Sequence, residues 1–257
     1  RAMEELADVT GFDLTTQTFD DEKATAPSEV NAYALLAMIY MLDQGSSNDL
    51  TVPTRIVDKA VERNPESSMA YLRRASFFQE NLEGKEGKEK SLADVQKAME
   101  LSPDDPVVIL AAVSTAMALA DLDEAQRLAD DGLAKHPKNP EMYAKRAEVA
   151  RAQGDTDQAI EFINRGLEEN QMNRELLYRR GSYEVDSGQP AAARTTVERL
   201  GNRFDPMRVE LLNARILMAE NNFLAASNKL ERLRPTAAPG GRQLSLINDY
   251  LATCYRR

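Results

Sequence analysis

Residues 140–171 read PEMYAKRAEVARAQGDTDQAIEFINRGLEENQ. In the first half Tyr143, Ala147 and Ala150 recur at i, i+4 and i+7, which places them on one face of a helix. In the second half Ala159 and Ile163 repeat that spacing, with Phe162 and Leu167 on the same face. Between the halves, Gly154-Asp155 combines a helix stop with a helix start. The stretch therefore predicts two amphipathic helices joined by a short turn.

The same unit recurs along the chain with a period of 34 residues. Its second segment ends at Pro103, at Pro137 and at Gln171. An earlier copy ends at Pro65, which is 38 residues before Pro103. We expect the four extra residues to lie in a charged, glycine-containing loop, ENLEGKEGKEKS at 80–91. A regular period of this length predicts stacked helical pairs, because no single pair can bury its own apolar face.

The pattern resembles the tetratricopeptide repeat, a helix–turn–helix unit of 34 residues. The resemblance rests on a large residue early in the first helix, a small residue four positions later, glycine at the turn and proline near the end. Those positions are Tyr143, Ala147 and Gly154 in one copy, and Tyr71, Ala75, Phe78, Ala98 and Pro103 in another. It implies an all-α, right-handed superhelical solenoid.

Repeats starting near 30, 68, 106, 140, 174 and 207 give about six repeats over 28–257, ending in a lone first helix. Residues 1–27 are interpreted as the helix remnant of a preceding repeat followed by an acidic linker.

Composition and charge exclude several classes of function. The chain has one histidine and one cysteine, too few for a zinc site or a disulfide framework. We interpret His136 as a turn residue and Cys254 as a buried thiol, and we expect no metal, no cofactor and no enzymatic activity. Acidic pairs such as Asp104-Asp105 are expected to start helices rather than bind calcium. A net charge of −10 argues against nucleic-acid binding.

The longest apolar stretch, 107–120, is too short to span a bilayer. We therefore expect a soluble protein without membrane contact. The chain begins with Arg1 and is interpreted as a fragment. The predicted location is the cytoplasm or, if a signal peptide has been removed, an exported compartment.

The resemblance places a ligand groove on the surface formed by the first helices. Its expected lining is apolar and rich in methionine in repeats 1–3 and basic in repeats 4–6. The candidate partner-binding residues are Met38, Met41, Leu72, Arg73, Ser76, Leu110, Ser114, Met117, Lys145, Arg151, Tyr178, Arg179 and Arg215. Basic side chains would suit a ligand with carboxylates. The alternative is that they pair with Glu141, Glu148 and Glu175 within the array.

Two hypotheses of function follow. The first is a non-catalytic scaffold or adaptor that binds an extended peptide or a partner helix in its groove. The partner is then a protein or peptide, and it carries acidic residues where it contacts the basic part of the groove. The second is the recognition or targeting arm of a larger enzyme whose catalytic domain lies outside this sequence.

Two further expectations concern the termini. The acidic leader at 12–29 is a candidate to occupy the groove, and the last helix, with Leu246, Leu251 and Tyr255, lacks a polar cap and is expected to favour self-association.

Overall fold

The computed structural model describes residues 1–45, 49–201 and 204–257. Apart from one small hairpin and a 3₁₀ turn at Arg234–Thr236, the regular elements described there are α-helices. The helices are α1 (Ala2–Thr10), α2 (Val30–Asp43), α3 (Thr51–Arg63), α4 (Ser68–Asn81), α5 (Gly84–Leu101), α6 (Pro106–Ala118), α7 (Leu122–Lys135), α8 (Pro140–Ala152), α9 (Thr156–Glu169), α10 (Arg174–Asp186), α11 (Pro190–Leu200), α12 (Pro206–Ala219), α13 (Phe223–Leu233) and α14 (Arg242–Tyr255). The predicted all-α class is confirmed.

The chain divides into two compact units, Arg1–Lys135 and His136–Arg257. In the first unit α2 pairs with α3, α4 with α5 and α6 with α7. In the second unit α8 pairs with α9, α10 with α11 and α12 with α13, and α14 packs on α13. Within each unit the first helix of one repeat also contacts the first helix of the next. The first helices of the six repeats begin within one residue of the repeat starts that the sequence predicts.

Polar caps and prolines explain why three of the first helices, α6, α8 and α12, begin where they do. Asp105 precedes α6, and its carboxylate accepts the backbone N–H of Val107 at 2.8 Å. Asn139 and Asp205 cap α8 and α12 in the same way. A proline occupies the first helical position after each of these caps, where its missing N–H costs nothing. The prediction that Asp105 starts a helix is thus confirmed.

Small residues allow the two helices of a repeat to approach closely. Ala147 of α8 and Ala159 of α9 are fully buried in the same cluster as Ile163. Gly166 of α9 has no room for a side chain, since an added Cβ would lie 2.8 Å from the Cβ of Tyr143. The helix pair is therefore held in one register by its smallest residues.

The insertion in the second repeat differs from the predicted loop. The structure places the extra residues in α5, which is 18 residues long and begins at Gly84. Lys85 pairs with Glu89 and Lys90 pairs with Glu86, each at i,i+4 spacing. Such pairs stabilise a helix, so the charged segment extends α5 instead of forming a loop.

The N-terminal segment is also more ordered than a linker. After α1, strand β1 (Phe12–Asp13) pairs antiparallel with strand β2 (Thr18–Phe19). Phe12 is 3% exposed and packs in the core of the first repeat with Tyr33, Tyr40 and Ile56. The hairpin therefore contributes apolar side chains to that core.

Arginines of α3 hold this segment in place. Arg63 donates to the carbonyl of Thr10 at 2.5 Å and to the hydroxyl of Tyr33 at 2.7 Å, and it pairs with Asp21. Arg55 donates to the carbonyl of Gln17 at 2.8 Å. The leader thus packs against α2 and α3, rather than lying along the groove as the leader hypothesis expected.

The last helix is partly anchored. Ile247, Leu251 and Cys254 are buried among side chains of α12 and α13. Leu251 was expected on an open face and instead belongs to this core, because it lies one turn from Ile247 on the inner side of α14. Cys254 is a buried thiol as predicted, and burial raises its pKa.

The core position of Phe12 can be tested directly. We expect Phe12→Ala to lower the free energy of unfolding by about 3 kcal/mol, because it removes a buried ring from a packed core. Thr15→Ala, at an exposed position in the same hairpin turn, is the control and should change stability little. Urea unfolding followed by circular dichroism measures both. Equal stability of the two variants would show that the hairpin does not pack on the first repeat.

Candidate functional site

The first unit contains an open cleft between α2 and α4, with a volume of about 510 Å³. Met38 and Met41 of α2 and Arg73 and Ser76 of α4 line it, as the sequence predicts. Leu35 joins them, and its side chain is 46% exposed, while that of Met38 is 51% exposed. We refer to this surface as the α2–α4 cleft. It presents a row of accessible apolar side chains, which suits contact with an apolar partner.

Polar groups border the apolar row. The Arg73 guanidinium donates through Nε to Oδ1 of Asn31 at 2.9 Å, which links α4 to α2. Glu80 lies further along α4. The cleft therefore offers an apolar floor with a cation and a carboxylate on its α4 wall.

Leu72 does not belong to this surface, and its assignment to the groove is wrong. The side chain is 6% exposed. A helix turns by about 100° per residue, so Leu72 points away from the direction of Arg73. It shares the buried side of α4 with Ala75.

The predicted residues of α6 lie outside the α2–α4 cleft. Leu110, Ser114 and Met117 are partly exposed. The Ser114 hydroxyl donates to the carbonyl of Leu110 at 2.8 Å, so it is satisfied within its own helix. The assignment of these three residues to partner binding stays a prediction.

In the second unit, the predicted basic residues come together on the first helices but are accompanied by carboxylates. Lys145 pairs with Glu148 at 2.9 Å. Arg179 lies 3.1 Å from Glu175 on its own helix and 3.8 Å from Glu148 on α8. The pairing alternative considered from the sequence therefore describes Lys145 and Arg179.

The same network continues onto α12. Arg215 donates to the Ser182 hydroxyl at 2.7 Å and pairs with Asp186. Arg151 of α8 approaches Asp186 at 4.0 Å. Asp186 therefore joins α8, α10 and α12 through ionic contacts.

Arg208, which the sequence reasoning missed, is central to this surface. It binds the Glu175 carboxylate in a bidentate manner at 2.8 and 3.0 Å. Its guanidinium lies 4.0 Å from the ring centre of Tyr178, which itself stacks on Phe204 at 5.3 Å. The signal in the sequence is a spacing of 33 residues, since Glu175 and Arg208 are separated by about one repeat.

We call this surface the charged face, formed by Lys145, Glu148, Arg151, Glu175, Arg179, Asp186, Arg208 and Arg215 with Tyr178 and Ser182. Among these side chains five are cationic and three are carboxylates. It is thus positively charged overall but largely paired. Most of its ion pairs are partly exposed, so each contributes little to stability.

Glu175 shows the electrostatic balance of the charged face. Partial burial raises the pKa of its carboxyl, but the hydrogen bonds and charges of Arg208 and Arg179 outweigh that effect and lower the pKa below its ordinary value. The pKa of Arg208 is raised, chiefly by its hydrogen bond to Glu175. The carboxylate is therefore the form that the folded state favours.

The described residues show no metal centre or membrane span. In residues 1–45, 49–201 and 204–257, no group of three or more His, Cys, Asp or Glu side chains is arranged to hold a metal ion. No helix in the same ranges is long and apolar enough to cross a membrane.

The lowered pKa of Glu175 predicts a pH-dependent contribution to stability. A carboxyl with a depressed pKa in the folded state stabilises the fold above its unfolded pKa, and this contribution is lost as the pH falls through the folded pKa. We expect Glu175→Gln to be less stable than the parent chain at neutral pH and to approach it in acid. Urea unfolding as a function of pH measures the difference. Glu168→Gln, at an exposed position of α9, is the control. If the loss of stability in Glu175→Gln persisted unchanged at low pH, it would not arise from the charge of the Glu175 carboxylate.

Comparisons with known proteins agree with this geometry. The tetratricopeptide repeat family model matches residues 110–173. No curated protein matches the chain. Among solved structures, the chain resembles yeast Tom70 with a TM-score of 0.70 at 19% identity, covering 90% of this chain and 47% of that one. This chain thus spans about half the length of the Tom70 chain.

Two other structures are similar over most of both chains. A tetratricopeptide repeat protein from Parabacteroides merdae has a TM-score of 0.68 at 16% identity, covering 99% of each chain. PilW, described as a widely conserved type IV pilus biogenesis factor, has a TM-score of 0.62 at 20% identity, covering 85% of this chain and 97% of that one. At identities this low, the structural similarity establishes the fold alone. Together with the helix pairs, they show that this chain has an all-α solenoid fold like that of tetratricopeptide repeat proteins, and residues 110–173 match the model of that family.

Proposed function

We propose that this chain is a non-catalytic scaffold that binds an extended peptide or a partner helix, with the α2–α4 cleft as its principal site. The observation that carries the proposal is the row of exposed apolar side chains in that cleft. Leu35 and Met38 lie at i and i+3 on α2, and Met41 follows one turn later. An apolar helix face or alternate side chains of an extended peptide fit such a row.

The energetics favour an apolar ligand segment. Fully burying a leucine or methionine side chain contributes about 1.5–3 kcal/mol. Leu35 and Met38 are only half-covered, so a partner gains from covering the rest. Methionine is flexible and polarizable, and it adapts to side chains of different shapes. The Met-rich lining thus supports recognition of more than one apolar sequence.

The charged face supports a second contribution to partner binding, which acidic residues of the partner would make. Five cations outnumber three carboxylates there, and Arg151 is about half exposed and has the longest ion pair of the network. A partner carboxylate would displace Asp186 from Arg151 more readily than Glu175 from the bidentate Arg208. Electrostatic complementarity of this kind contributes mainly to specificity and association rate. We therefore propose acidic residues in the partner as a selectivity feature.

The alternative hypothesis, a recognition arm of a larger enzyme, uses the same two surfaces. It differs in requiring a catalytic domain outside residues 1–257. The binding experiment below applies to both hypotheses, because each assigns partner recognition to this array.

A substitution in the α2–α4 cleft tests the proposal. Peptides are first selected from a random displayed library against the parent chain, and their affinity is then measured by fluorescence anisotropy. We expect Met38→Asp to weaken binding about tenfold or more, because it places a charge on the apolar floor. Leu42→Asp is the matched control, since Leu42 is on the same helix, 73% exposed and outside the cleft lining.

Two outcomes would contradict the proposed site. Selected peptides that bound Met38→Asp as tightly as the parent chain would place recognition elsewhere. Equal loss in Met38→Asp and Leu42→Asp would show that any charge on α2 disturbs binding. Circular dichroism of both variants establishes that helicity is retained.

Self-association through the last helix remains a separate proposal. Leu246 is partly exposed and Tyr255 is 67% exposed, although the Tyr255 hydroxyl donates to Glu231 at 2.9 Å. We expect sedimentation velocity at high protein concentration to show a dimer that Tyr255→Ser weakens. A monomer throughout the concentration range would contradict this proposal.

A further inference from the structure

Two side chains of opposite charge lie on the α4 wall of the α2–α4 cleft. Arg73 and Glu80 both line the cleft, and both are exposed. They are two helical turns apart, so they lie on the same face of α4 and are separated by about 10.5 Å along its axis. The wall therefore has a cation at one end and a carboxylate at the other.

Both charges are accessible to a partner. Arg73 donates through Nε to the neutral side-chain amide of Asn31, which orients the guanidinium without neutralising it. Among the residues that the structure describes, no carboxylate forms an ion pair with Arg73, and no base forms one with Glu80. Lys145 and Arg179, which like Arg73 are the sixth residues of their helices, are paired with carboxylates. In this series, Arg73 is therefore the cation whose charge is not compensated.

The apolar row on α2 runs beside the stretch of α4 between these charges. Leu35 is the sixth residue of α2, as Arg73 is of α4, and Met41 is the twelfth, next to the level of Glu80 at the thirteenth. The two helices contact each other, and all four side chains line one cleft. Leu35 and Met38 are about half exposed, so a partner can cover them. A segment that contacts both charges therefore also passes over the apolar row.

The distance between the charges distinguishes a helical partner from an extended one. Side chains on the same side of an extended segment are about 6.8 or about 13.6 Å apart, and neither distance matches the separation of Arg73 and Glu80. In a helix, residues i and i+7 share a face at about 10.5 Å, and residues i+3 and i+4 lie between them on that face. A helix thus matches both the charges and the apolar row.

We propose that the α2–α4 cleft binds an amphipathic helix of a partner protein, with an acidic and a basic residue seven positions apart and two apolar residues between them. The acidic residue pairs with Arg73, the basic residue pairs with Glu80, and the apolar residues cover Leu35 and Met38. The order of the two charges sets the direction of the bound helix, since reversal would bring like charges together. This inference rests on the proposed function of the cleft and adds the conformation and charge pattern of the partner.

The test uses Ala- and Gln-rich helical peptides of about 20 residues. The probe has glutamate at i, leucine at i+3 and i+4, and arginine at i+7. Two comparison peptides keep the leucines and have either glutamine or arginine at both charged positions. Affinity is measured by fluorescence anisotropy, and NMR shifts of the Met38 and Met41 methyl groups locate the site. We expect the probe to bind about fivefold more tightly than the glutamine peptide, because two exposed ion pairs add modestly to the affinity, and the arginine peptide to bind more weakly than the probe.

Charge reversal in the chain tests whether the two ion pairs form. Arg73→Glu gives the cleft two carboxylates, so we expect its preference to reverse and the arginine peptide to bind more tightly than the probe. Lys88→Glu imposes the same change in net charge at an exposed position of α5 outside the cleft, and it should keep the preference of the parent chain. By the same reasoning, Glu80→Lys should prefer a peptide with glutamate at both charged positions.

The outcomes separate this inference from the proposed function. If the glutamine peptide binds as tightly as the probe and Met38→Asp weakens both, the cleft is an apolar binding site and the inferred charge pattern is wrong. If library-selected peptides bind at the cleft and the helical probe does not, the inferred helix is wrong. An unchanged preference in Arg73→Glu would also overturn the inference, and Glu80→Lys provides the same test if Arg73→Glu does not fold.

Discussion

Close approach between the two helices of a repeat is the constraint on which the other features depend. Where α8 meets α9, Gly166 leaves no space for even a methyl group beside Tyr143, and Ala147 is fully buried. These contacts fix the rotation of the first helix about its axis. Once the rotation is fixed, the direction of every other side chain on that helix follows. The open surfaces are therefore determined by residues that are themselves inaccessible to a partner.

This dependence explains what could be predicted from the sequence. Helix bounds followed from proline and polar caps, and the small positions revealed the repeat. The groove lining was predicted less well, because an error of one residue rotates a side chain by about 100° and places Leu72 in the core. The extended α5 and the hairpin at Phe12 were missed because their order depends on charge pairing and on long-range contacts with α2 and α3, neither of which the 34-residue period contains.

The charged face illustrates a different limit. The sequence identified its cations except Arg208, but some of their partners lie about one repeat away, as Glu175 does from Arg208 and Ser182 from Arg215. Adjacent first helices bring such residues together, so repeat spacing is also the spacing of lateral contacts. Because these pairs are partly exposed, each contributes little to stability. When basic residues recur at the same position of successive repeats, the carboxylates about one repeat earlier in the sequence should therefore be examined as their partners.

The repeats differ most at positions that stacking does not require. Replacing the arginine of α4 with Ala112 in α6 leaves that repeat intact, because Val113 and Ala129 still bury its helix interface. An isolated, partly buried arginine would be costly, and in α4 Arg74 is retained with two carboxylates that satisfy it. In α6 the arginine and its carboxylates are replaced together, because the positions that correspond to Asp58 and Asp94 hold Gln96 and Leu128. The stacked helices therefore tolerate the exchange of an internal ionic cluster for neutral side chains, because other residues form the helix interface.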